Sequence, residues 1–112
     1  MLHTPGGAFS YGEQRLLALA RLLMSCNTRL LLLDEPTAGV NPVVCETIAT
    51  IITRMVRDHR LTVLLIEHNM NFVRQIADHC AFLSKGKIAA FGTPADVLDS
   101  PEVRASYLGL IK

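Results

Sequence analysis

No hydrophobic run in this chain approaches the roughly 20 residues that a membrane-spanning helix needs. The longest are Leu30–Leu33, Val63–Ile66 and a stretch around Leu16–Met24 that Arg21 interrupts. An excess of charge of one sign is missing too. The 11 basic and 10 acidic side chains leave a net charge of +1, which gives no general push toward nucleic acid or an anionic membrane. Cysteine is scarce: Cys26, Cys45 and Cys80 are odd in number and widely spaced. No disulfide framework or zinc knuckle follows, and free thiols in a reducing cytosol are expected. The opening Met1-Leu2-His3-Thr4-Pro5-Gly6-Gly7 has no charged segment followed by an apolar one, so no secretory signal is expected. What is present is a chain of 112 residues, 50% hydrophobic and 19% charged. That suffices for one compact domain with a real core and excludes wholesale disorder.

The first periodic segment is Ser10–Met24. Ser10 followed by Glu13 has the pattern of a capping box at a helix start. Leu16, Ala20 and Leu23 repeat at helical spacing, and Leu17, Leu19 and Met24 widen the apolar face, so a mostly buried helix is expected. Leu30–Leu33 does not alternate, which predicts a strand covered on both faces in a parallel sheet. Asp34 and Glu35 end it, Pro36 biases Glu35 toward an extended conformation, and Thr37-Ala38-Gly39 reads as a turn. Asn41-Pro42 is an N-cap followed by a first helical residue. The stripe Val44, Ile48, Ile51 and Met55, opposite Glu46, Thr50, Arg54 and Arg57, then predicts an amphipathic helix lying on the sheet.

Leu61–Ile66 reads as a second buried strand, ending in Glu67-His68. Asn69 can cap a third helix whose Phe72, Val73, Ile76 and Ala77 face inward. Cys80–Leu83 and Ile88–Phe91 flank Lys85-Gly86 as a hairpin. Thr93-Pro94 and Ser100-Pro101 each open a short helix, the last one ending near Gly109. Strand–helix–strand alternation predicts an α/β fold with parallel strands flanked by helices, followed by a carboxyl-terminal β-hairpin.

Ligands of open parallel sheets bind beyond the carboxyl ends of the strands. Two strands here end there in polar residues, one in Asp34-Glu35 and the other in Glu67-His68. On parallel neighbours these groups would converge on one crevice. A carboxylate suits hard Mg²⁺, usually through retained waters. A second carboxylate can polarise an attacking water, and a histidine can position that water or a terminal phosphate. Taken singly, the acidic pair also reads as a solvated turn and the histidine as a surface residue. Ser10 needs no ligand to explain it, because as an N-cap it is worth about 1 kcal/mol. Gly12 points elsewhere: glycine costs roughly 1 kcal/mol inside a helix, but beside a helix N-terminus it lets a phosphate approach free N–H groups.

Phe9-Ser10-Tyr11-Gly12-Glu13-Gln14-Arg15 resembles the signature motif of ABC-transporter ATPases, with Phe for Leu and Tyr for the first Gly. Leu30–Leu33 with Asp34-Glu35-Pro36 resembles their Walker B strand and the glutamate after it. Ala38-Gly39-Val40-Asn41-Pro42 resembles the D-loop, with Asn where many members have Asp, and Ile66-Glu67-His68 resembles the H-loop. The Ser-Tyr-Gly signature, the Asn-Pro D-loop, Ile66 to Met70 and the tail from Gly92 to Gly109 are similar to ATPases of branched-chain amino acid importers. Export ATPases share parts of this.

The resemblance implies a partial P-loop NTPase core of the ABC type that binds ATP and Mg²⁺. Asp34 would hold Mg²⁺, usually through water, and Glu35 would be the general base. His68 would contact the γ-phosphate and link it to Glu35. Ser10, Tyr11, Gly12 and Glu13 would face the ATP held by an opposite subunit, with Ser10 and Gly12 on its γ-phosphate. Gly39 and Asn41 would lie at the dimer seam. The implied partners are a second ATPase subunit and integral membrane permease subunits, with no nucleic acid. The implied place is the cytoplasm, on the inner face of the cell membrane.

No G-x-x-x-x-G-K-[ST] phosphate loop occurs in the 112 residues, and Gly6-Gly7 has neither the lysine nor the hydroxyl after it. Residues 1–112 are therefore expected to be the carboxyl-terminal part of one nucleotide-binding domain, inactive alone. In the family the phosphate-loop strand lies between the strand read at Leu61–Ile66 and the one at Cys80–Leu83. Its absence would leave a gap of about two 4.8 Å spacings and open apolar edges. Three functions then compete: a part of an importer ATPase, a non-catalytic subunit offering Ser10 and Gly12 to a complete partner, and another ABC-type ATPase such as a DNA-repair protein. The short transporter-like tail and near-neutral charge disfavour the last.

Overall fold

The computed structural model describes residues 10–24 and 27–109, apart from the side chains of residues 107–109. Phe9, Gly6-Gly7 and Cys26 lie outside the described residues. The chain divides into two compact units, Met1–Asn69 and Met70–Lys112.

The first unit holds α1 (Tyr11–Leu23), β1 (Leu30–Asp34), α2 (Pro42–His59) and β2 (Thr62–Ile66). Ser10 caps α1 through the expected capping box. Asn41 caps α2, its side-chain oxygen accepting from the Val44 N–H at 2.9 Å, with Pro42 in the first turn. At the other end of α2, Arg60 takes the left-handed conformation, φ 52°, which favours glycine at helix ends. Arg60→Gly is expected to stabilise the last turn of α2 by about 0.5 kcal/mol, read as slower amide exchange there.

The strands β1 and β2 pair in parallel, as expected, from Leu30 opposite Thr62 to Asp34 opposite Ile66. The ladder is extended at both ends, by the Thr62 N–H on the Arg29 carbonyl (2.8 Å) and the Glu35 N–H on the Ile66 carbonyl (2.7 Å). Among the described residues of this unit, Leu19, Leu31, Ile48, Ala49, Ile52 and Leu61 are buried apolar side chains. Of the expected α2 stripe, Ile48 is buried and Val44, Ile51 and Met55 are half-buried, while the deepest part of the face also takes in Ala49 and Ile52.

Two burial expectations are corrected. The helix α1 is not mostly buried: Tyr11, Leu17 and Leu22 are exposed, and Leu19 is its one buried apolar side chain. The strands are not covered on both faces either. Leu30 (56% exposed), Leu32 (64%), Leu64 (63%) and Ile66 (59%) form an open apolar face. They share that face because side chains alternate along a strand and the register sets Leu32 opposite Leu64. An uninterrupted apolar run says that both faces want cover, not that both receive it.

The second unit holds α3 (Met70–Ile76), β3 (Cys80–Ser84), β4 (Lys87–Gly92), α4 (Pro94–Leu98) and α5 (Pro101–Gly109). The strands β3 and β4 form a separate antiparallel two-stranded sheet. Lys85 (φ 52°) and Gly86 (φ 78°) both sit at positive φ in its turn, the geometry of a tight hairpin turn matched to strand twist. Val97, Leu98 and Val103 form the core of this unit, with Met70, Val73, Cys80, Phe82 and Ala90 packed on it. Thr93 caps α4 by accepting from the Asp96 N–H. Ser100 accepts from the Val103 N–H at 3.3 Å and donates to the Val97 carbonyl at 2.8 Å. Asp99 accepts from Arg74 at 2.6 Å with Arg104 at 3.6 Å, and the Arg74 hydrogen bond holds its carboxyl below the usual carboxylate range. That contribution is present above the ordinary carboxylate range and is lost as the pH falls through the lowered value.

Candidate functional site

Because β1 and β2 are parallel neighbours in register, Glu35 and His68 leave the sheet at the same edge. The Glu35 carboxylate oxygen Oε1 lies 3.3 Å from His68 Nε2. The exposed Asp34 carboxylate stands at the end of β1, beside them in sequence. The structure thus brings together the acid and the imidazole that the sequence placed at successive strand ends.

Glu35 itself is not extended. Its φ is 48°, in a left-handed region that a non-glycine residue enters only at a cost. Two bonds require this. Its N–H still belongs to the ladder, on the Ile66 carbonyl, while its carbonyl already accepts from the Ala38 N–H at 3.1 Å. The chain must reverse within one residue. The following proline disfavours the right-handed helical region, and Glu35 takes the left-handed one. The turn continues with the Val40 N–H on the Thr37 carbonyl (3.1 Å) and with Gly39 at φ 71°.

A second group gathers at the start of α1. The Ser10 hydroxyl accepts from the Glu13 N–H (3.1 Å) and the Glu13 carboxylate accepts from the Ser10 N–H (3.2 Å), so these two side chains serve each other. Gly12 is buried, and a Cβ there would meet the Val44 methyls at 3.2 Å. Close approach of α1 to α2 therefore favours a small residue here, whatever it binds. A Cβ on Gly39 would meet the Tyr11 ring at 3.2 Å, and Arg15 donates to the Tyr11 hydroxyl at 2.6 Å. Tyr11 thereby rests on the turn that leads to Asn41. Gly39→Ala is expected to cost about 1–2 kcal/mol through its backbone conformation alone, measured as faster amide exchange at Val40.

Sequence reasoning missed Thr37 and the use made of Glu67. Thr37 is a buried polar residue, 5% exposed. Its hydroxyl donates to Glu67 Oε2 at 2.7 Å and its N–H donates to the same oxygen at 3.2 Å. The signal was a hydroxyl residue in the turn after one strand and an acid after the other. Near the same turn, burial pushes the Cys45 thiol up, and the Glu67 charge adds to this.

Among the described residues no cluster of three or more His, Cys, Asp or Glu side chains could hold a metal ion. Asp34 fits a different role. Mg²⁺ is commonly held by one or two carboxylates together with waters and substrate phosphates, and an exposed carboxylate at a strand end is such a donor.

Several known proteins are similar to this chain. The branched-chain amino acid transport ATP-binding protein BraF of Pseudomonas aeruginosa is 43% identical over 103 residues, which cover 92% of this chain and 40% of BraF. LivG of Escherichia coli (strain K12), a branched-chain amino acid transport ATP-binding protein, is 38% identical over 89% of this chain and 39% of LivG. The lipopolysaccharide export system ATP-binding protein LptB of Haemophilus influenzae is 39% identical over 93% of this chain and 42% of LptB. A solved ATP-binding cassette of an ABC transporter, in its ADP conformation, superposes with a TM-score of 0.80 at 32% identity, covering 92% of this chain and 41% of that one. Residues 4–74 match the family model described as "AAA domain, putative AbiEii toxin, Type IV TA system".

The chain belongs to the AAA-domain family, and its fold is that of ATP-binding cassettes of ABC transporters. It spans about 40% of the length of the curated cassettes it matches. Its fold is accordingly a partial cassette core: a parallel strand pair with its helices, and a hairpin unit. No described helix of this cassette chain is long and apolar enough to cross a membrane.

Proposed function

We propose that this chain is the ATP-hydrolysing part of the ATP-binding subunit of a branched-chain amino acid importer. The observation that carries the reading is the Glu35–His68 pair, 3.3 Å apart at the ends of two parallel strands. Glu35 takes the proton of the attacking water. His68 holds the Glu35 carboxylate in place and reaches toward the terminal phosphate. Asp34 would hold Mg²⁺. When bound, ATP supplies the phosphoryl group and Mg²⁺ neutralises charge on its oxygens. Ser10, Tyr11, Gly12 and Glu13 present the first turn of α1 to the nucleotide of a second ATPase subunit, and Gly39 with Asn41 lies at the seam between the two. Permease subunits hold the pair at the inner face of the membrane. Hydrolysis requires a phosphate loop supplied by a segment that these 112 residues do not contain.

The two importer relatives at 43% and 38% identity support the solute class. LptB at 39% favours a second reading, export of lipopolysaccharide. Joining the chain to the amino-terminal segment of BraF gives a restored cassette that separates them. Recovered leucine uptake in cells lacking BraF supports import. Rescue of LptB-depleted cells instead supports export. Failure of both, with nucleotide still bound at the signature turn, makes the chain a non-catalytic partner.

A further inference from the structure

Glu67 is the most heavily bonded side chain of the site. Its carboxylate accepts four hydrogen bonds: Oε2 from the Thr37 hydroxyl (2.7 Å) and N–H (3.2 Å), Oε1 from the N–H groups of His68 (3.1 Å) and Asn69 (3.4 Å). An ionised carboxylate offers about four acceptor positions, so none is left over for a metal ion or for the proton of a water. We propose that Glu67 is a positioning residue, a strap that binds the turn after β1 to the loop after β2 and so sets the Glu35–His68 distance.

The need for such a strap follows from the sheet. The ladder between the strands ends with the Glu35 N–H on the Ile66 carbonyl. Beyond that bond one strand passes into the tight turn at Glu35–Ala38 and the other into the loop at Glu67–Asn69. The side chains that must meet, Glu35 and His68, both lie past the ladder and are both solvent-accessible. An accessible pair held by one contact wanders. Glu67 ties the backbone N–H of His68 itself to Thr37, two residues after Glu35, and Thr37 is buried. Hydrogen bonds to a charged acceptor are stronger than neutral ones, and two donors on each oxygen fix the carboxylate plane.

This inference rests on the proposed roles of Glu35 and His68, but its test does not. In the full 112-residue chain, amide exchange is measured by mass spectrometry at low concentration for residues 67–69, with residues 48–52 of α2 as the control. Thr37→Val keeps the shape and removes the hydroxyl; Thr37→Ser keeps the hydroxyl and removes the methyl. The expected result is exchange at 67–69 faster by tenfold or more in Thr37→Val, with protection kept in Thr37→Ser and the control unchanged in both. The reverse order, with valine neutral and serine loosened, makes Thr37 a packing residue and overturns the strap. Equal exchange in all forms overturns it, as does an absence of protection at 67–69 in the unsubstituted chain. Should Thr37→Val loosen the control as well, Glu67→Gln decides: fast exchange confined to 67–69 supports the strap, and loss of protection throughout makes Glu67 a folding residue instead. In the restored cassette, Glu67→Gln is expected to lower kcat with KM for ATP little changed. A rise in KM alone overturns the positioning role. Undiminished turnover in Glu35→Gln overturns the functional reading and leaves the exchange result standing.

Discussion

Glu35→Gln in the restored cassette is expected to lower ATP hydrolysis by about 10²–10⁴-fold while nucleotide binding persists. Glutamine keeps the shape of the side chain and an acceptor for His68, but it cannot take a proton from water. The measurement is single-turnover phosphate release beside a nucleotide-binding isotherm. Undiminished hydrolysis would remove Glu35 as the base. A companion substitution separates the side chain from its backbone. Glu35 sits at φ 48°, a conformation that costs a non-glycine residue on the order of 1 kcal/mol or more. Glu35→Gly should therefore be inactive and yet more stable than Glu35→Gln. That an acid occupies a position suited to glycine is an argument for its chemistry, since the fold alone would gain from removing it.

Much of this was legible in the sequence, for definite reasons. Caps are local, so Ser10 with Glu13, Asn41 with Pro42 and Thr93 with Pro94 announced their helices and the structure uses each as expected. Polar residues at the ends of two apolar runs were enough to place Glu35 near His68, because parallel pairing of neighbouring strands leaves few alternatives. The conformation of Glu35 was not legible. The proline after it argues only against one backbone region, and the bond to Ile66 that forces the reversal comes from 31 positions further along the chain. Nor was the packing of Gly12 against Val44, which depends on how closely two helices approach. Periodicity reveals which faces are apolar. It does not reveal whether the element that covers them lies in the same stretch of chain, and the exposed side of α1 and the open sheet face are where that distinction matters.

That open face carries the second large effect. The 112-residue chain by itself is expected to melt broadly, with a midpoint that depends on concentration, whereas the restored cassette melts cooperatively. Leu30, Leu32, Leu64 and Ile66 are each more than half exposed. Fully burying one such side chain stabilises by about 1.5–3 kcal/mol, so covering what remains exposed of the four is worth roughly 4–7 kcal/mol. That is comparable to the whole stability of many domains, about 5–15 kcal/mol. Differential scanning calorimetry at several concentrations checks it, and a sharp two-state melt from a monomer at micromolar concentration would count against it. The sign of one double substitution gives an independent check. Leu32→Thr with Leu64→Thr should improve solubility and leave the short chain no less stable, because threonine suits an exposed strand. In the restored cassette the same pair should lower the melting temperature by several degrees, at about 2–4 °C per kcal/mol for a domain of that size. Loss of stability in both settings would mean that the face already packs within the 112 residues. No loss in either would mean that it is ordinary surface, and the proposal that a further segment completes this sheet would fall with it.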